Sequence, residues 1–289
     1  MIFVTTILFH NDFWPSVPES LPDCPWECQL IFDPARLAEA DLVVFHIPTL
    51  RGSIQIEKHP GQKWVAWSME SDVNCPYLKD PAFTRQFDLT MTYRRDADVW
   101  TPYLGSGTAA KLLLPPQAKT EEALAVYIAS NPFDRSGRND YAWALMQHLK
   151  VDSYGRCLQN RTLEHDEGGK TKMQTMARYR FTLAFENSIS QDYVTEKFFD
   201  PLIAGSVPIY LGAPNIADFA PGDHCFINVA DFPGPAQLAE YLRFLGDCPE
   251  EYESYLAWKS RDLRESFLKM VELTVTHPLC RLASLHGRA

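Results

Sequence analysis

Two five-residue apolar runs, Phe181-Thr-Leu-Ala-Phe185 and Val207-Pro-Ile-Tyr-Leu211, bracket a polar turn and a helix-length segment. Strand, helix and strand in that order fold as a right-handed crossover in a parallel sheet, and unbroken apolar strands need cover on both faces. Between the runs stand Glu186, Asn187, Ser188, Asp192, Tyr193, Thr195, Glu196 and Lys197, polar groups with little packing value. Ala184 and Phe185 should end a central strand, with the helix beginning near Val194. A segment that leaves the C-terminal end of a buried strand and opens a helix is where α/β proteins bind ligands. The helix N-terminus offers partial positive charge and free N–H groups, and Lys197 adds a full charge one turn in, which together suit a pyrophosphate. Glu196 suits hydrogen bonds from sugar or ribose hydroxyls; its plainer reading is a helix-start carboxylate complementing the dipole. Pro201 falls early enough to be tolerated in the helix or to kink it.

The same pattern recurs along the chain. Residues 2–9 (IFVTTILF), 42–47 (LVVFHI), 63–67 (KWVAW) and 87–93 (FDLTMTY) read as strands, with a helix over 35–40 capped by Asp33-Pro34. Glu70 follows one of these strands, where a carboxylate with its pKa nudged up by apolar neighbours suits a general base; the alternative is a solvated loop or capping glutamate. Gly105-Ser-Gly107 and Pro115-Pro116 punctuate the middle of the chain, which places domains at 1–115 and 116–289, the last helix being free to pack back on the first. In the second half, 123–129 reads as a strand ending at Ser130-Asn131-Pro132. Arg138 and a helix over 139–149 come next, then a strand over 151–154 and a mobile polar loop over 155–169. Ser130, Asn131 and Arg138 suit an anion, the guanidinium because its fork contacts two phosphate oxygens; Arg138 as an exposed helix-start residue is the alternative. A strand over 225–229 and helices over 235–245 and 250–273 complete the pattern. The second of these helices should bury Tyr252, Tyr255, Trp258, Leu263, Phe267 and Val271, and the tail from 277 to 289 should fray. Two α/β domains facing each other across a cleft can bind a nucleotide in one half and an acceptor in the other; the pattern names neither the sugar nor the reaction.

Composition narrows the classes. A net charge of −10 over 289 residues argues against a general nucleic-acid binder. The apolar N-terminus is only about nine residues long and lacks a basic region or a cleavage site, so it reads as a strand and not a signal peptide. No apolar run approaches the roughly 18–20 residues of a membrane helix. Seven cysteines form no paired zinc-type repeat, and although Cys24-Pro-Trp-Glu-Cys28 suits a disulfide or half a metal site, free thiols are expected. A soluble cytoplasmic enzyme is the expectation, with peripheral membrane contact left open.

FTLAFENSISQDYVTEKFFDPLIAGSVPIYLGAPN (181–215) resembles the donor-binding signature of the family 10 α-1,3/4-fucosyltransferases. KWVAWSMES (63–71), FDLTMTYRRDADVWTPY (87–103), SNPFDRSGR (130–138) and VDSYGRC (151–157) resemble segments of the same family in the same order, so the likeness spans roughly 40–260. It implies an α/β GT-B architecture with two Rossmann-like domains facing a central cleft. The implied activity is inverting transfer of L-fucose from GDP-β-L-fucose to a hydroxyl of an acceptor glycan, α-1,3 on GlcNAc or Glc. By the same resemblance Glu70 falls at the catalytic base, and Arg138 and Lys197 at the cations that offset the diphosphate. Asn187, Tyr193 and Glu196 fall at positions lining nucleotide and fucose, joined by Ser130, Asn131 and Tyr103. No metal and no obligatory cofactor are implied, stimulation by Mn2+ or Mg2+ being left open.

Some features depart from the family. Ser71 is followed by Asp72-Val73 where the family often has a proline two residues after the glutamate. The anchor and stem of animal Golgi members, the C-terminal heptads of some bacterial ones and the paired C-terminal cysteines of animal enzymes are not evident, Cys280 standing alone. A compact bacterial-type enzyme is therefore expected. A GT-B enzyme using another nucleotide sugar, or a silent GDP-sugar-binding protein, are the competing readings. The loops over 11–28, 48–60 and 71–84 carry no motif that names the acceptor, so N-acetyllactosamine, a lipopolysaccharide sugar and a protein-linked glycan all stay open.

Overall fold

A computed structural model describes residues 4–13, 18, 20–21 and 23–286. Parts of three expectations lie outside the described residues: the strand start at 2–3, stretches of the 11–28 loop, and the tail at 287–289. The chain divides into two units, Met1–Pro102 with Glu272–Ala289, and Tyr103–Val271. The first break thus falls before the Gly105–Pro116 punctuation, whereas the sequence suggested 115/116.

In the first unit, β1 (Thr5–Phe9), β2 (Cys28–Ile31), β3 (Leu42–His46), β4 (Lys63–Ser68), β5 (Leu89–Thr92) and β6 (Val99–Trp100) form one sheet, with α1 (Pro81–Thr84) between β4 and β5. The order is β2-β1-β3-β4-β5-β6 and every pairing is parallel. Strand side chains alternate between faces, and here both faces are apolar. Ile7, Phe9, Leu42, Val44, Val65, Trp67 and Met91 pack on one side. Leu8, Val43, Phe45, Trp64 and Ala66 pack on the other. The expected helix over 35–40 is a 3-10 helix, Pro34–Glu39, with Asp33 accepting from the Ala35 N–H at 2.9 Å. β4 ends at Ser68, two residues short of Glu70.

The second unit opens with α2 (Thr108–Leu112). It continues through β7 (Ala125–Tyr127), α3 (Arg138–Met146), β8 (Val151–Ser153), α4 (Gly169–Arg178), β9 (Phe181–Phe185), α5 (Glu196–Ala204), β10 (Val207–Leu211), β11 (Ile227–Asn228), α6 (Pro235–Asp247) and α7 (Pro249–Ser254). α8 (Glu265–Leu273) runs past the unit's last residue. Its sheet, ordered β11-β10-β9-β7-β8, is also wholly parallel. Phe181 to Phe185 pair in register with Val207 to Leu211. Phe181, Leu183, Phe185, Val207 and Ile209 pack with Ala142 and Leu145 of α3 and with Leu238, Leu242 and Leu245 of α6. Fully burying each such aliphatic or aromatic side chain stabilises the unit by about 1.5–3 kcal/mol. At the end of α5, Gly205 adopts φ +75°, and a Cβ there would stand 2.7 Å from Pro116 Cβ, so the helix can stop only at a glycine.

Two helix expectations are corrected. The single helix over 250–273 is broken into α7, a 3-10 turn at Ala257–Ser260, and α8, with Arg261 extended between the last two. Its six expected core residues are nevertheless all buried. Over its described residues, 277–286, the tail does not fray: α9 (Pro278–His286) lays Leu279, Leu282 and Ala283 on the sheet face formed by Ile7, Phe9, Val44, Val65 and Met91. Lys63 Nζ donates to the Leu285 carbonyl at 3.1 Å and ties the helix end to β4.

α9 also corrects the cysteine assignment. Cys280 is joined to Cys24 in a disulfide with a Cα–Cα distance of 5.5 Å, and Cys28 Sγ lies 3.6 Å from Cys24 Sγ. Five other cysteines are free thiols. The 256-residue separation puts this pair beyond any local spacing rule; packing of α9 brings the two together. Cys280→Ser is expected to lower unfolding free energy by about 2–4 kcal/mol. A reductant should reproduce the shift in the wild type and leave the variant unchanged in urea denaturation; a wild type indifferent to reductant would remove the bond.

Candidate active site

The polar turn after β9 is organised by Glu186, which has no solvent exposure. One carboxylate oxygen accepts from the Thr195 backbone N–H at 2.7 Å and the other from Thr195 Oγ1 at 2.8 Å, while Lys197 Nζ stands 3.7 Å away. Thr195 is the N-cap of α5, its hydroxyl accepting from the Lys197 N–H at 3.3 Å and from Lys197 Nζ at 3.1 Å. Lys197 Nζ also donates to Glu196 Oε1 at 3.0 Å. Gly212 passes so close that a Cβ would stand 2.6 Å from Glu186 Cγ, which is why a glycine follows β10. Further along the turn Asp192, at φ +64°, is clamped by Asn215, whose amide donates to Asp192 Oδ1 at 2.9 Å and accepts from its N–H at 3.0 Å.

These contacts set the electrostatics. Burial raises the Glu186 pKa to about 7, the positive charge of Lys197 and the hydrogen bonds from Thr195 holding it from going higher. Burial alone would lower Lys197, but the carboxylates of Glu186 and Glu196 outweigh it and hold the ammonium above its ordinary range. For Glu196, burial pulls upward and is outweighed by Lys197 and Lys172, so its carboxyl is held below the usual range.

Arg138 opens α3 after Gly137, which adopts φ +73°. It is 2% exposed, so the reading of it as an exposed helix-start residue does not hold. Its Nη2 donates to the Asn131 carbonyl at 2.8 Å and its Nη1 to the Phe185 carbonyl at 3.4 Å, while its buried Nε has no hydrogen-bond partner. Among the described residues no carboxylate pairs with it, although it lies near enough to Lys197 to weaken that ammonium. A buried guanidinium that meets only carbonyls and a second cation is the environment an anion completes.

The α5 terminus is a different matter from the sequence expectation of free N–H donors. Thr195 N is taken by Glu186, Lys197 N by Thr195 Oγ1 and Phe198 N by the Thr195 carbonyl at 3.0 Å. Positive charge for a ligand therefore comes from side chains more than from the helix end.

Tyr193, Tyr103, Asn187, Ser130 and Asn131 belong to the same unit as these groups. Tyr193 is buried, with its ring edge-on to Tyr103 at 6.1 Å between centroids. Asn187 accepts from the Arg135 N–H through its carbonyl at 2.7 Å, which joins the loop after β9 to the loop before α3. Ser130 and Asn131 are exposed in the loop that follows β7; Ser130 Oγ accepts from the Arg156 N–H at 3.4 Å and Asn131 Oδ1 from the Phe133 N–H at 3.0 Å. Glu70 belongs to the first unit. It is half-buried, and its Oε2 accepts from Asn74 Nδ2 at 3.1 Å. Glu186 is the residue sequence reasoning missed as a site component. Its signal was a carboxylate directly after five apolar strand residues.

Residues 117–288 match the family model described as glycosyltransferase family 10 (fucosyltransferase), C-terminal, and residues 4–104 match the fucosyltransferase N-terminal model. The chain belongs to glycosyltransferase family 10, the fucosyltransferases. It is a glycosyltransferase with the GT-B fold, as expected from its sequence. It is 38% identical over 282 residues to the human 4-galactosyl-N-acetylglucosaminide 3-alpha-L-fucosyltransferase FUT5, covering 91% of this chain and 72% of that one. It is 36% identical over 282 residues to the human 3-galactosyl-N-acetylglucosaminide 4-alpha-L-fucosyltransferase FUT3, covering 91% and 75%. A putative fucosyltransferase-like protein of Arabidopsis thaliana is 38% identical over 226 residues, which cover 77% of this chain but only 43% of that protein. Among solved structures, an alpha1,3-fucosyltransferase with GDP superposes with a TM-score of 0.62 at 18% identity, covering 96% of this chain and 90% of that one. The same enzyme class with GDP-fucose gives 0.59 at 19%, covering 86% and 80%. Among the described residues of this family 10 chain, no group of three or more His, Cys, Asp or Glu is placed to hold a metal. Nor is any helix there long and apolar enough to cross a membrane.

Glu186 binds its proton more tightly folded than unfolded. The stability it contributes is therefore full below about pH 4.5 and is lost as pH rises through about 7. Lys197, Thr195, Glu196 and Tyr210 are the groups that face it. Over about pH 5 to 8 the wild type should lose stability relative to Glu186→Gln, by at most about 1.4 kcal/mol per pH unit. Urea unfolding across that range checks this, and parallel profiles would place the proton elsewhere.

Proposed function

We propose that this chain transfers L-fucose from GDP-β-L-fucose to a hydroxyl of an acceptor glycan with inversion at the anomeric carbon. The observation that carries the proposal is Arg138, a buried guanidinium with an unused Nε, no carboxylate partner, and the Lys197 ammonium nearby. Two cations without a full carboxylate balance suit a diphosphate whose charge grows as the glycosidic bond breaks, and stabilising that charge lowers the barrier without a protein acid. Glu70 is the base in this scheme. It takes the proton of the acceptor hydroxyl as that oxygen attacks the anomeric carbon and GDP departs from the opposite side, and one carboxylate suffices for such a single displacement. Asn187, Tyr193, Glu196, Ser130, Asn131 and Tyr103 line the nucleotide and the fucose. The fucosyl and GDP assignment rests on family membership, and the same membership argues against a different nucleotide sugar or a silent binding protein.

An α-1,3 linkage to a GlcNAc or Glc residue is the proposed product. The human relatives FUT5 and FUT3 carry names for 3- and 4-linkage respectively, so an acceptor array with GDP-fucose decides between them. No metal is required in this reading, because cations already meet the diphosphate. Disulfides persist in oxidising surroundings, so the Cys24–Cys280 bond weighs against the cytoplasmic location expected from the sequence.

Glu70→Gln should lower turnover at least ~100-fold while GDP-fucose affinity changes little, as loss of a general base requires. Near-normal turnover in that variant would sink the base assignment. Lys197→Ala should weaken GDP binding by roughly tenfold or more, a charge-assisted contact to phosphate being worth about 1.5–3 kcal/mol. Calorimetry showing unchanged GDP affinity would contradict the diphosphate seat.

A further inference from the structure

The second unit contains another gathering of cations that shares no residue with the site above. Lys119, Arg180 and Lys259 line a cavity of about 970 Å³ bounded by the Pro115-Pro116 segment, Tyr252 and Leu256. Lys259 is only 7% exposed; its Nζ donates to the Leu112 carbonyl at 2.6 Å and stands 4.8 Å from the centre of the Trp258 ring. Lys119 Nζ donates to the Ala177 carbonyl at 2.8 Å and the Gly205 carbonyl at 2.6 Å, at the ends of α4 and α5. The Arg180 guanidinium makes no hydrogen bond or ion pair among the described residues. The one carboxylate on the lining, Glu253, is exposed and paired with none of the three.

Capping of helix ends explains part of this and not the rest. Two of the three Lys119 protons and one of the three Lys259 protons are used, so both ammoniums keep donors to spare, and Arg180 keeps all five. Like charges brought together at a partly buried surface without a carboxylate repel one another and lose hydration. Burial lowers both lysines to about 8, the neighbouring charges of Lys259 and Arg180 contributing at Lys119. In a chain of net charge −10 a carboxylate to neutralise the cluster would be easy to supply, yet Glu253 on the lining pairs with none of the three cations. The volume lies in the range of about 300–1,000 Å³ typical of small-molecule sites. Its apolar walls, Leu113, Pro115, Pro116 and Leu256 among them, leave room for an organic part beside the charge.

We propose that this cavity is a second anion site, built for a phosphate or diphosphate group, free or as an ester, held by Lys119, Arg180 and Lys259. The test is calorimetric titration of the full chain with inorganic pyrophosphate while GDP is saturating, so that only a site apart from the nucleotide can respond. If GDP itself fails to bind, the reading of the nucleotide site fails, and the titration is then made without it. Pyrophosphate should bind the wild type, bind Arg180→Gln at least tenfold more weakly, and recover most of its affinity in Arg180→Lys, with thermal midpoints unchanged. Phenyl phosphate binding more tightly than inorganic phosphate would assign an organic ester; equal affinities would assign the free anion. Absence of pyrophosphate binding, or the same affinity in Arg180→Gln, would overturn the proposal.

Discussion

The loop that carries the site residues of the second unit is held by a carboxylate that never meets water. Glu186 directly follows β9 and receives both the backbone N–H and the hydroxyl of Thr195, so the N-cap of α5 is fixed to the residue next after the strand. Such an arrangement is a poor source of net stability, since a buried charge must recover its lost hydration from its partners. What it supplies is position. Thr195 cannot move without stranding the carboxylate, and Lys197 is held by the Thr195 hydroxyl and by the acids on either side of it. The glycine after β10 leaves the space in which this happens.

Around that fixed point the chain leaves its positive groups incompletely matched. Arg138 spends its guanidinium on two main-chain carbonyls, which orient it without neutralising it. Lys119 and Lys259 do the same in another part of the unit. A carbonyl dipole satisfies a donor's geometry and leaves the charge available, so a cation held this way stays ready for a ligand that brings its own negative charge. The overall acidity of the chain makes these exceptions local and therefore informative.

Strands buried on both faces leave the plainest mark on a sequence, which is why 181–185 and 207–211 coincide with β9 and β10 residue for residue. β2 and β6 escaped notice because four and two residues at a sheet edge carry too little apolar signal. α4 escaped because its run, GKTKMQTMAR, buries only Thr175, Met176 and Ala177. Between α7 and α8, the Lys259 ammonium bonds the Leu112 carbonyl, a long-range contact that periodicity cannot express. At the site, the residue types of the 181–215 stretch and its likeness to a family pointed to a donor seat. Neither revealed that Arg138 is buried or that Glu186 is sealed, because a charged residue next to an apolar run is written the same way whether water reaches it or not. The N–H groups at the start of α5 look free in the sequence, yet Glu186 and Thr195 use them.

The first unit is assembled from both extremes of the chain, with α9 completing a sheet face begun by β1 and a covalent link joining residues 24 and 280. The second unit is continuous in sequence. On a ribosome delivering residues from the N-terminus, the second unit has its whole sequence in hand before the first does. The early strands of the first unit must wait, with one apolar face uncovered, for the arrival of Leu279 and Leu282. Until α9 is made, the nascent chain is therefore exposed to aggregation through Ile7, Phe9, Val44 and Val65, and Cys24 can pair with Cys280 only after that helix has been delivered.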